Sequence, residues 1–184
     1  NIAQGDTVAV IGCGPVGMCS MICARLLGAN NIIAIDVDDK RLNIVKDKNL
    51  ADVTINPLYD DVENIVAEKT NGRGADGVIE AAGGKDTFEC AWKIARPNSV
   101  VAVVAMYESA QILPLPDMYG KNLIFKTGGV DAIHCTKLLD YIASGKINTD
   151  FLISKTIKLD DIVEGYKLFS NKENNILKIA VTYD

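Results

Sequence analysis

The chain has 184 residues, of which 48% are hydrophobic and 23% charged, and its formal net charge is −5. Such a chain can bury a full hydrophobic core, and its acidic balance without a Lys- and Arg-rich run argues against nucleic-acid or anionic-membrane partners. No apolar stretch reaches the ~18 residues that a membrane span needs and no secretory leader is recognisable, so we expect a cytoplasmic protein.

Short apolar, β-branched runs alternate with amphipathic helical patterns along most of the chain. Strands are predicted at Thr7–Ile11, Asn31–Ile35, Asp52–Ile55, Gly77–Ala81, Ser99–Ala105 and Asn122–Lys126. Helices are predicted at Pro15–Leu27, Asp39–Asn49, Asp60–Asn71 and Lys85–Ala95, the third with Asp60 and Glu63 at capping-box spacing. Most strands are apolar throughout, as strands buried on both faces are. The alternation predicts an α/β fold with a doubly wound, six-stranded parallel sheet in the order 3-2-1-4-5-6.

The rhythm changes after the sixth strand. A helix is predicted from about Asp131 to Ser144, and it is followed by a strand, a helix opened by Asp160 or Asp161, and a last strand at Ile176–Tyr183. We therefore predict a main domain at residues 1–145 and a C-terminal tail at residues 146–184.

Three glycines follow the first strand directly. Gly12, Gly14 and Gly17 form GxGxxG at the start of the first helix, with Pro15 where a first-turn proline is tolerated. Gly12 permits the tight turn, Gly14 lets a pyrophosphate approach the backbone, and Gly17 permits close packing of helix on sheet. The alternatives are a plain glycine-rich turn or the methyl-donor loop of a methyltransferase. The flanking strand and helix favour dinucleotide binding and a Rossmann fold.

An acidic residue ends the second strand, as a dinucleotide site requires. Asp36 lies 24 residues after Gly12 and 19 after Gly17. A carboxylate there can accept both ribose hydroxyls of adenosine and repels the 2′-phosphate of NADP, which predicts NAD as cofactor. Asp36 could instead cap the next helix, although Asp38 and Asp39 are closer to that position. Arg41 either lies along the adenosine phosphate or ribose or is a solvated helix charge.

Small residues end the fourth strand, on the other side of the crevice. Ala81, Ala82 and Gly83 should border the cofactor there, although they could equally serve helix packing. The ends of strands five and six, Val103–Met106 and Lys126–Gly129, are placed where backbone groups could meet the nicotinamide carboxamide.

The cysteines and the single histidine indicate no metal or disulfide. The five cysteines are odd in number and form no CxxC pair, so we expect reduced thiols in the core; they are Cys13, Cys19, Cys23, Cys90 and Cys135. Cys19 and Cys23 share one face of an apolar helix, which favours core packing. His134 has no companion Cys, Asp or Glu at metal-ligand spacing. No catalytic and no metal-binding residue is predicted in this chain.

Several segments together resemble the coenzyme domain and C-terminal tail of medium-chain zinc-dependent alcohol dehydrogenases. They are GDTVAVIGCGPVGM, GANNIIAIDVDDKRLNIVKD, GRGADGVIEAAG, LLDYIASGKI and LDDIVEGYKLF, in family order and spacing, and they cover essentially the whole chain. The resemblance implies NAD-linked oxidation of an alcohol, or reduction of an aldehyde, by hydride transfer at a catalytic zinc. It also implies that residues 146–184 pack on a separate catalytic domain.

Site residues carry over from the resemblance position by position. Asp36 matches the ribose acid and Arg41 the basic position after it. The pyrophosphate loop matches Gly12, Gly14, Pro15, Val16 and Gly17, and the backbone positions near the nicotinamide match Val103, Ala105 and Thr127. The family's zinc ligands have no counterpart here, so zinc is expected only in a full-length enzyme.

Two classes of function remain open from the sequence. The chain, which starts at Asn1 and enters its first strand at once, is expected to be a fragment of a zinc alcohol dehydrogenase. The alternative is a free-standing NAD-binding or sensing module without catalysis. Within the enzyme class, polyol, threonine, formaldehyde and secondary-alcohol dehydrogenases would look alike.

The sixth strand predicts a dimer. In the order 3-2-1-4-5-6 the stretch NLIFKT, residues 122–127, is an edge strand with unpaired backbone groups beside Leu123, Ile124 and Phe125. A second copy paired about a two-fold axis would cover it, which resembles how medium-chain dehydrogenases dimerise. The alternative is a monomer whose C-terminal tail covers this edge.

Overall fold

The computed structural model describes residues 2–129, 131–171 and 176–183. The chain divides into two compact units, Asn1–Gly129 and Val130–Asp184. The first unit holds a six-stranded sheet in the order β3-β2-β1-β4-β5-β6, in which every neighbouring pair is parallel. The predicted fold class and strand order are confirmed.

The elements of the first unit alternate strand and helix. Its strands are β1 (Thr7–Ile11), β2 (Asn31–Ile35), β3 (Val53–Ile55), β4 (Ala75–Glu80), β5 (Ala95–Val103) and β6 (Ile124–Thr127). Its helices are α1 (Pro15–Leu26), α2 (Asp39–Asp47), α3 (Val62–Lys69), α4 (Thr87–Ile94) and α5 (Leu115–Met118). The short α5 was not predicted. All five residues of β1 are buried, because both faces of a central parallel strand are covered by helices.

Several element boundaries differ from the predicted ones; β4 and β5 begin at Ala75 and Ala95 instead of Gly77 and Ser99. Two other differences have a clear local cause. Asp61, not Asp60, caps α3 by accepting the amide of Asn64 at 3.1 Å, while Asp60 accepts the amide of Asn56 at 2.8 Å. β6 begins at Ile124 instead of Asn122, because Asn122 has φ +46°, a left-handed conformation that an extended strand cannot contain.

The register places the strand ends in one row across the sheet. Thr127 of β6 pairs with Val103 of β5, which in turn pairs with Glu80 of β4. The row continues from Glu80 to Ile11 and from there to Ile35 and Ile55. Because parallel strands end at the same edge, every loop that follows β1 to β6 leaves from this row.

A large part of the core of the first unit lies between strands β1 to β5 and helices α3 and α4. Thirteen buried side chains form one cluster: Ala9, Ile11, Ile33, Ile35, Ile55, Val66, Ala75, Val78, Ala91, Ile94, Ala95, Val101 and Val103. This cluster holds the strand ends rigidly, which gives the loops at the carboxyl edge a fixed base.

The second unit contains a two-stranded parallel sheet of β7 (Ile153–Lys158) and β8 (Lys178–Thr182), with helices α6 (Cys135–Ala143) and α7 (Ile162–Ser170). Two short 3₁₀ helices, Asp150–Leu152 and Leu159–Asp161, precede β7 and α7. The unit boundary lies before α6, unlike the predicted 145/146 boundary. The carbonyl of Tyr141 in α6 accepts the amides of Lys146 and Ile147, which ties this helix to the segment after it.

The functional assignment of residues 1–145 and 146–184 as domains stays a prediction. Within the described ranges, no helix combines the length and apolar character that crossing a bilayer demands.

Candidate functional site

A cavity of about 550 Å³ opens at the carboxyl edge of the sheet, beside the ends of β1, β2 and β4. It is lined by Ile11, Gly12, Gly14, Ile35, Asp36, Val37, Arg41, Pro57, Leu58, Ala81, Ala82, Gly84, Lys85, Asp86, Thr87 and Cys90. The cavity therefore brings together Gly12, Gly14, Asp36, Arg41, Ala81 and Ala82, which the sequence had singled out, although those residues lie far apart along the chain.

The three predicted glycines have different local roles. Gly12 has φ +97°, and a Cβ there would lie 2.9 Å from the backbone of Ala81 and Ala82. A Cβ on Gly17 would lie 1.8 Å from the carbonyl oxygen of Gly12, so Gly17 lets α1 pack against the turn. A Cβ on Gly14 would have no neighbour nearer than Arg41 Nη1 at 3.9 Å. Only Gly14 therefore leaves open space on the cavity side.

Helix α1 presents its amino terminus at this turn. Gly14 is the N-cap residue in an extended conformation, no side chain caps the helix, and Pro15 is its first residue. The first-turn amides of a helix have no partner within the helix, and its dipole favours an anion there. The turn is therefore suited to receive a phosphate. Val16 is exposed beside it.

Asp36 is a buried carboxylate on the cavity wall, with 9% of the residue exposed. Its Oδ2 accepts the amide of Cys13 at 2.6 Å and its Oδ1 accepts the amide of Asp38 at 2.9 Å. Asp38 caps α2 by accepting the amide of Lys40, so the alternative that Asp36 caps this helix is wrong. Each Asp36 oxygen has a second lone pair, which leaves the carboxylate able to accept further hydrogen bonds.

Arg41 lies at the cavity between two carboxylates. Its Nη1 is 3.9 Å from Asp36 Oδ2 and its Nε is 3.8 Å from Asp38 Oδ2. The side chain is one-third exposed and its Nη1 is the atom nearest to the open side of Gly14. Arg41 is therefore placed beside the glycine turn, with both charge partners at the long limit of an ion pair.

Asn56, which the sequence analysis missed, joins the loops after β2 and β3. Its amide nitrogen Nδ2 donates to Val37 O at 3.2 Å and to Asp39 Oδ1 at 2.7 Å, and its Oδ1 accepts the amide of Leu58 at 3.0 Å. Tyr59 also hydrogen-bonds Asp39 and Asn56, which lowers the pKa of Asp39. This network fixes Val37 and Leu58, whose exposed side chains form one wall of the cavity.

Two thiols near the site are kept protonated. Burial, with the charge of Asp36, raises the pKa of Cys13 far above its ordinary value. Burial also raises the pKa of Cys90, which lines the cavity, to about 11. Neither thiol is a nucleophile at neutral pH. The expectation of core thiols holds for Cys13, which is buried, and only partly for Cys19, Cys23 and Cys90, which are half-buried. It is wrong for Cys135, which is exposed.

Six predicted site residues do not line this cavity: Pro15, Val16 and Gly17 at the start of α1, and Val103, Ala105 and Thr127 at or just after the ends of β5 and β6. Val103 and Thr127 pair at the ends of β5 and β6. The amide of Ala105 donates to the carbonyl of Glu80 at 3.2 Å, so its own carbonyl remains as the group that a ligand could meet. The proximity of Val103, Ala105 and Thr127 to nicotinamide stays a prediction.

The start of α4 was also missed by the sequence analysis. Lys85, Asp86 and Thr87 line the cavity, and Thr87 Oγ1 lies 2.9 Å from the hydroxyl of Tyr107. Their position directly after the small residues that follow β4 could have identified them in the sequence, because the loops that follow parallel strands meet at one edge of the sheet.

No metal centre is formed by the part of the chain that the structure describes, because no three His, Cys, Asp or Glu side chains come together there. His134 precedes α6 and is exposed. The described residues thus fit a dinucleotide at the cavity, through an uncapped helix terminus and a buried acid, but they do not fit a zinc ion.

Comparison with known proteins gives consistent matches. The profile described as "Zinc-binding dehydrogenase" matches residues 15–135. The chain is similar to an alcohol dehydrogenase of Cupriavidus necator, with 38% identity over 98% of this chain and 50% of the relative. It is 28% identical to an NADP-dependent isopropanol dehydrogenase of Thermoanaerobacter brockii, over 98% of this chain and 53% of the relative.

Among solved structures, alcohol dehydrogenase TADH from Thermus sp. ATN1 matches with a TM-score of 0.91 and 32% identity, over 100% of this chain and 52% of that one. The chain thus spans about half the length of the relatives it matches.

Proposed function

Since the chain belongs to the zinc-binding dehydrogenase family, we propose that it is the NAD-binding domain of an alcohol dehydrogenase. The observation that carries the proposal is the buried Asp36 carboxylate on the wall of a cavity that also contains the Gly12 and Gly14 turn. This pairing of an acid with a helix amino terminus suits the ribose and pyrophosphate of one dinucleotide. Family membership favours this enzyme over a sensing module without catalysis.

The proposed binding mode assigns each part of the dinucleotide to a wall of the cavity. The pyrophosphate lies against the amides that follow Gly14, and Arg41 offsets its charge. The adenosine ribose donates its hydroxyls to Asp36, and the adenine lies against Val37 and Leu58, which Asn56 holds in place. The nicotinamide half extends towards the loops after β4, β5 and β6, which include Ala81, Ala82, Val103, Ala105 and Thr127.

NAD rather than NADP is proposed from Asp36. A 2′-phosphate would face this carboxylate at close range with little water to screen the repulsion, because the side chain is almost fully buried. One of the relatives named above is NADP-dependent. The preference for NAD over NADP therefore rests on this residue and not on the family as a whole.

The proposed reaction is hydride transfer between an alcohol and NAD. NAD supplies the hydride acceptor when it is bound. The residues of this chain bind the dinucleotide at the carboxyl edge of the sheet and hold it in one orientation, so that the same face of it stays exposed. We propose that zinc ligands and the alcohol or aldehyde site belong to the part of the protein that these 184 residues do not include, as the half-length match supports. The cytoplasmic location also stays a prediction.

Separating binding from turnover tests this proposal. The 184-residue chain should bind NADH but oxidise no primary or secondary alcohol when Zn²⁺ is added, because hydride transfer needs the alcohol held against metal and nicotinamide together. Calorimetry measures the binding, and absorbance of NADH measures the turnover. The full-length protein should oxidise an alcohol in the same assay. Zinc-dependent oxidation by the chain alone, or no oxidation by the full-length protein with any alcohol in a broad panel, would contradict the proposal.

A homodimer through β6 is also proposed. β6 is an edge strand, Ile124 on it is 54% exposed, and a groove of about 270 Å³ beside it is lined by Leu113, Leu115, Met118, Tyr119, Asn122, Leu123 and Phe125. The ring of Phe125 packs on that of Phe88, with 5.5 Å between the ring centroids. Phe125 therefore adds less exposed apolar surface to this edge than the sequence indicated. A second copy would pair the free backbone groups and cover the groove.

Light scattering at micromolar concentration tests the dimer. Ile124→Lys should convert a dimer to a monomer, because two charges would meet across the two-fold axis. Leu27→Lys is a matched control, since Leu27 is similarly exposed (60%) but lies at the end of α1. A monomeric unaltered chain, or a dimer that survives Ile124→Lys, would exclude this interface.

A further inference from the structure

Glu80 is a fully buried acid that the proposed binding mode does not use. It is the last residue of β4, lies between Ile11 and Val103 in the sheet, and has 0% of its surface exposed. Burial of a carboxylate in an apolar core is costly unless hydrogen bonds compensate for the lost hydration. Glu80 should therefore make contacts that an apolar residue could not make.

The contacts of Glu80 join two loops at the carboxyl edge. Its Oε1 accepts the amides of Ala82 and Gly83, both at 2.9 Å, in the loop after β4. Its backbone carbonyl accepts the amides of Val104 at 2.9 Å and Ala105 at 3.2 Å, in the loop after β5. One residue thus organises four backbone amides in two loops.

The two loops are also in tight contact with each other. Gly83 has φ +68°, and a Cβ there would lie 2.6 Å from the carbonyl oxygen of Met106. A displacement of Gly83 would therefore push on the loop after β5, or open a gap beside it. The position of Gly83 depends on the carboxylate of Glu80, because Oε1 is the acceptor that its amide uses.

We propose that Glu80 is a positioning residue for the nicotinamide half of the cofactor. This rests on the proposed function, in which the loops that contain Ala82 and Ala105 border that half. The adenosine end of the cavity depends on Asp36 and Asn56 instead, whose side chains hydrogen-bond residues outside these two loops. Loss of the Glu80 contacts should therefore weaken the hold on nicotinamide much more than the hold on adenosine and pyrophosphate, whose link to Glu80 on this edge runs through the backbone of Ala82 beside Gly12.

The two oxygens of the Glu80 carboxylate have different surroundings, which allows the effect of its reach to be tested separately from that of its charge. Within the described residues, Oε2 is buried and has no hydrogen-bond donor. Burial and, to a lesser extent, the hydrogen bond and charge of Glu80 raise the pKa of Tyr107 to about 12, so this phenol stays neutral beside the carboxylate. A glutamine can place its carbonyl oxygen where Oε1 lies, and its amide nitrogen takes the place of Oε2, which no donor within the described residues meets in hydrogen-bond geometry.

Two variants separate reach from charge, and two ligands separate the halves of the cofactor. Glu80→Asp keeps the charge but withdraws the acceptor by one methylene, whereas Glu80→Gln keeps the reach without the charge. NADH and ADP-ribose, which lacks nicotinamide, are titrated by calorimetry against the 184-residue chain and both variants. Thermal unfolding checks that each variant is folded.

Glu80→Asp should lower NADH affinity about tenfold and change ADP-ribose affinity by less than about threefold. Glu80→Gln should bind both ligands within about threefold of the unaltered chain. Equal losses for both ligands, unchanged NADH binding by Glu80→Asp, or a larger NADH loss for Glu80→Gln would each overturn the inference. Failure of the unaltered chain to bind either ligand would instead refute the proposed function itself.

Discussion

Gly17→Ala is expected to lower the free energy of unfolding by about 2–3 kcal/mol and to abolish measurable NADH binding. The added Cβ would lie 1.8 Å from the carbonyl oxygen of Gly12, which belongs to backbone and cannot rotate away. Helix α1 would have to move off the sheet, and the turn that holds Gly14 would move with it. Urea unfolding measures the first effect and calorimetry the second.

Gly14→Ala is the matched control for that prediction. Its Cβ would have no neighbour nearer than 3.9 Å, and its φ of −76° suits any residue. Stability should stay within about 1 kcal/mol of the unaltered chain, while NADH affinity falls about tenfold because the methyl group occupies the approach of the pyrophosphate. Equal stability of the Gly17 and Gly14 variants would contradict the packing role assigned to Gly17.

Asp36→Gly is expected to remove most of the preference for NADH over NADPH. The substitution deletes the carboxylate that accepts the ribose hydroxyls and repels a 2′-phosphate, so NADH affinity should fall while NADPH affinity rises or stays level. Stability should fall by about 2 kcal/mol, because the amides of Cys13 and Asp38 lose their acceptor. Paired calorimetric titrations with NADH and NADPH measure the change in preference.

Asp38→Asn provides the control for charge near the site. Asn caps helices as well as Asp does, and Asp38 is 3.8 Å from the same Arg41 but does not line the cavity. The NADH preference should survive this substitution. A loss of preference in Asp38→Asn as large as that in Asp36→Gly would show that general charge, and not contact with the ribose, determines the choice.

The fold could be predicted because its signals are local and repeated. β1 and β2 were located residue for residue from their apolar runs, and the strand order followed from the alternation with helices. Two of the boundary errors occurred where a single residue decides the boundary. The left-handed conformation of Asn122 delays the start of β6, and Asp61, one residue after the predicted cap, is the residue that caps α3.

The site could be predicted only where a residue type is required by the backbone or by charge. Gly12 and Asp36 fall in that class. A glycine after a strand signals a turn with positive φ, and an acid at a strand end is itself visible in the sequence. Asn56 and Glu80 were missed because their importance lies in hydrogen bonds between loops that only the folded sheet brings together. A polar residue directly at the end of an apolar strand was the one signal they gave.

Titration of the unaltered chain with NADH and with NADPH tests whether Asp36 selects the cofactor, and it needs neither a variant nor the rest of the protein. NADH should bind at least about tenfold more tightly, a difference of about 1.4 kcal/mol, since a 2′-phosphate would meet the buried carboxylate of Asp36. Equal affinities for the two cofactors, or no binding of NADH, would contradict this role of Asp36.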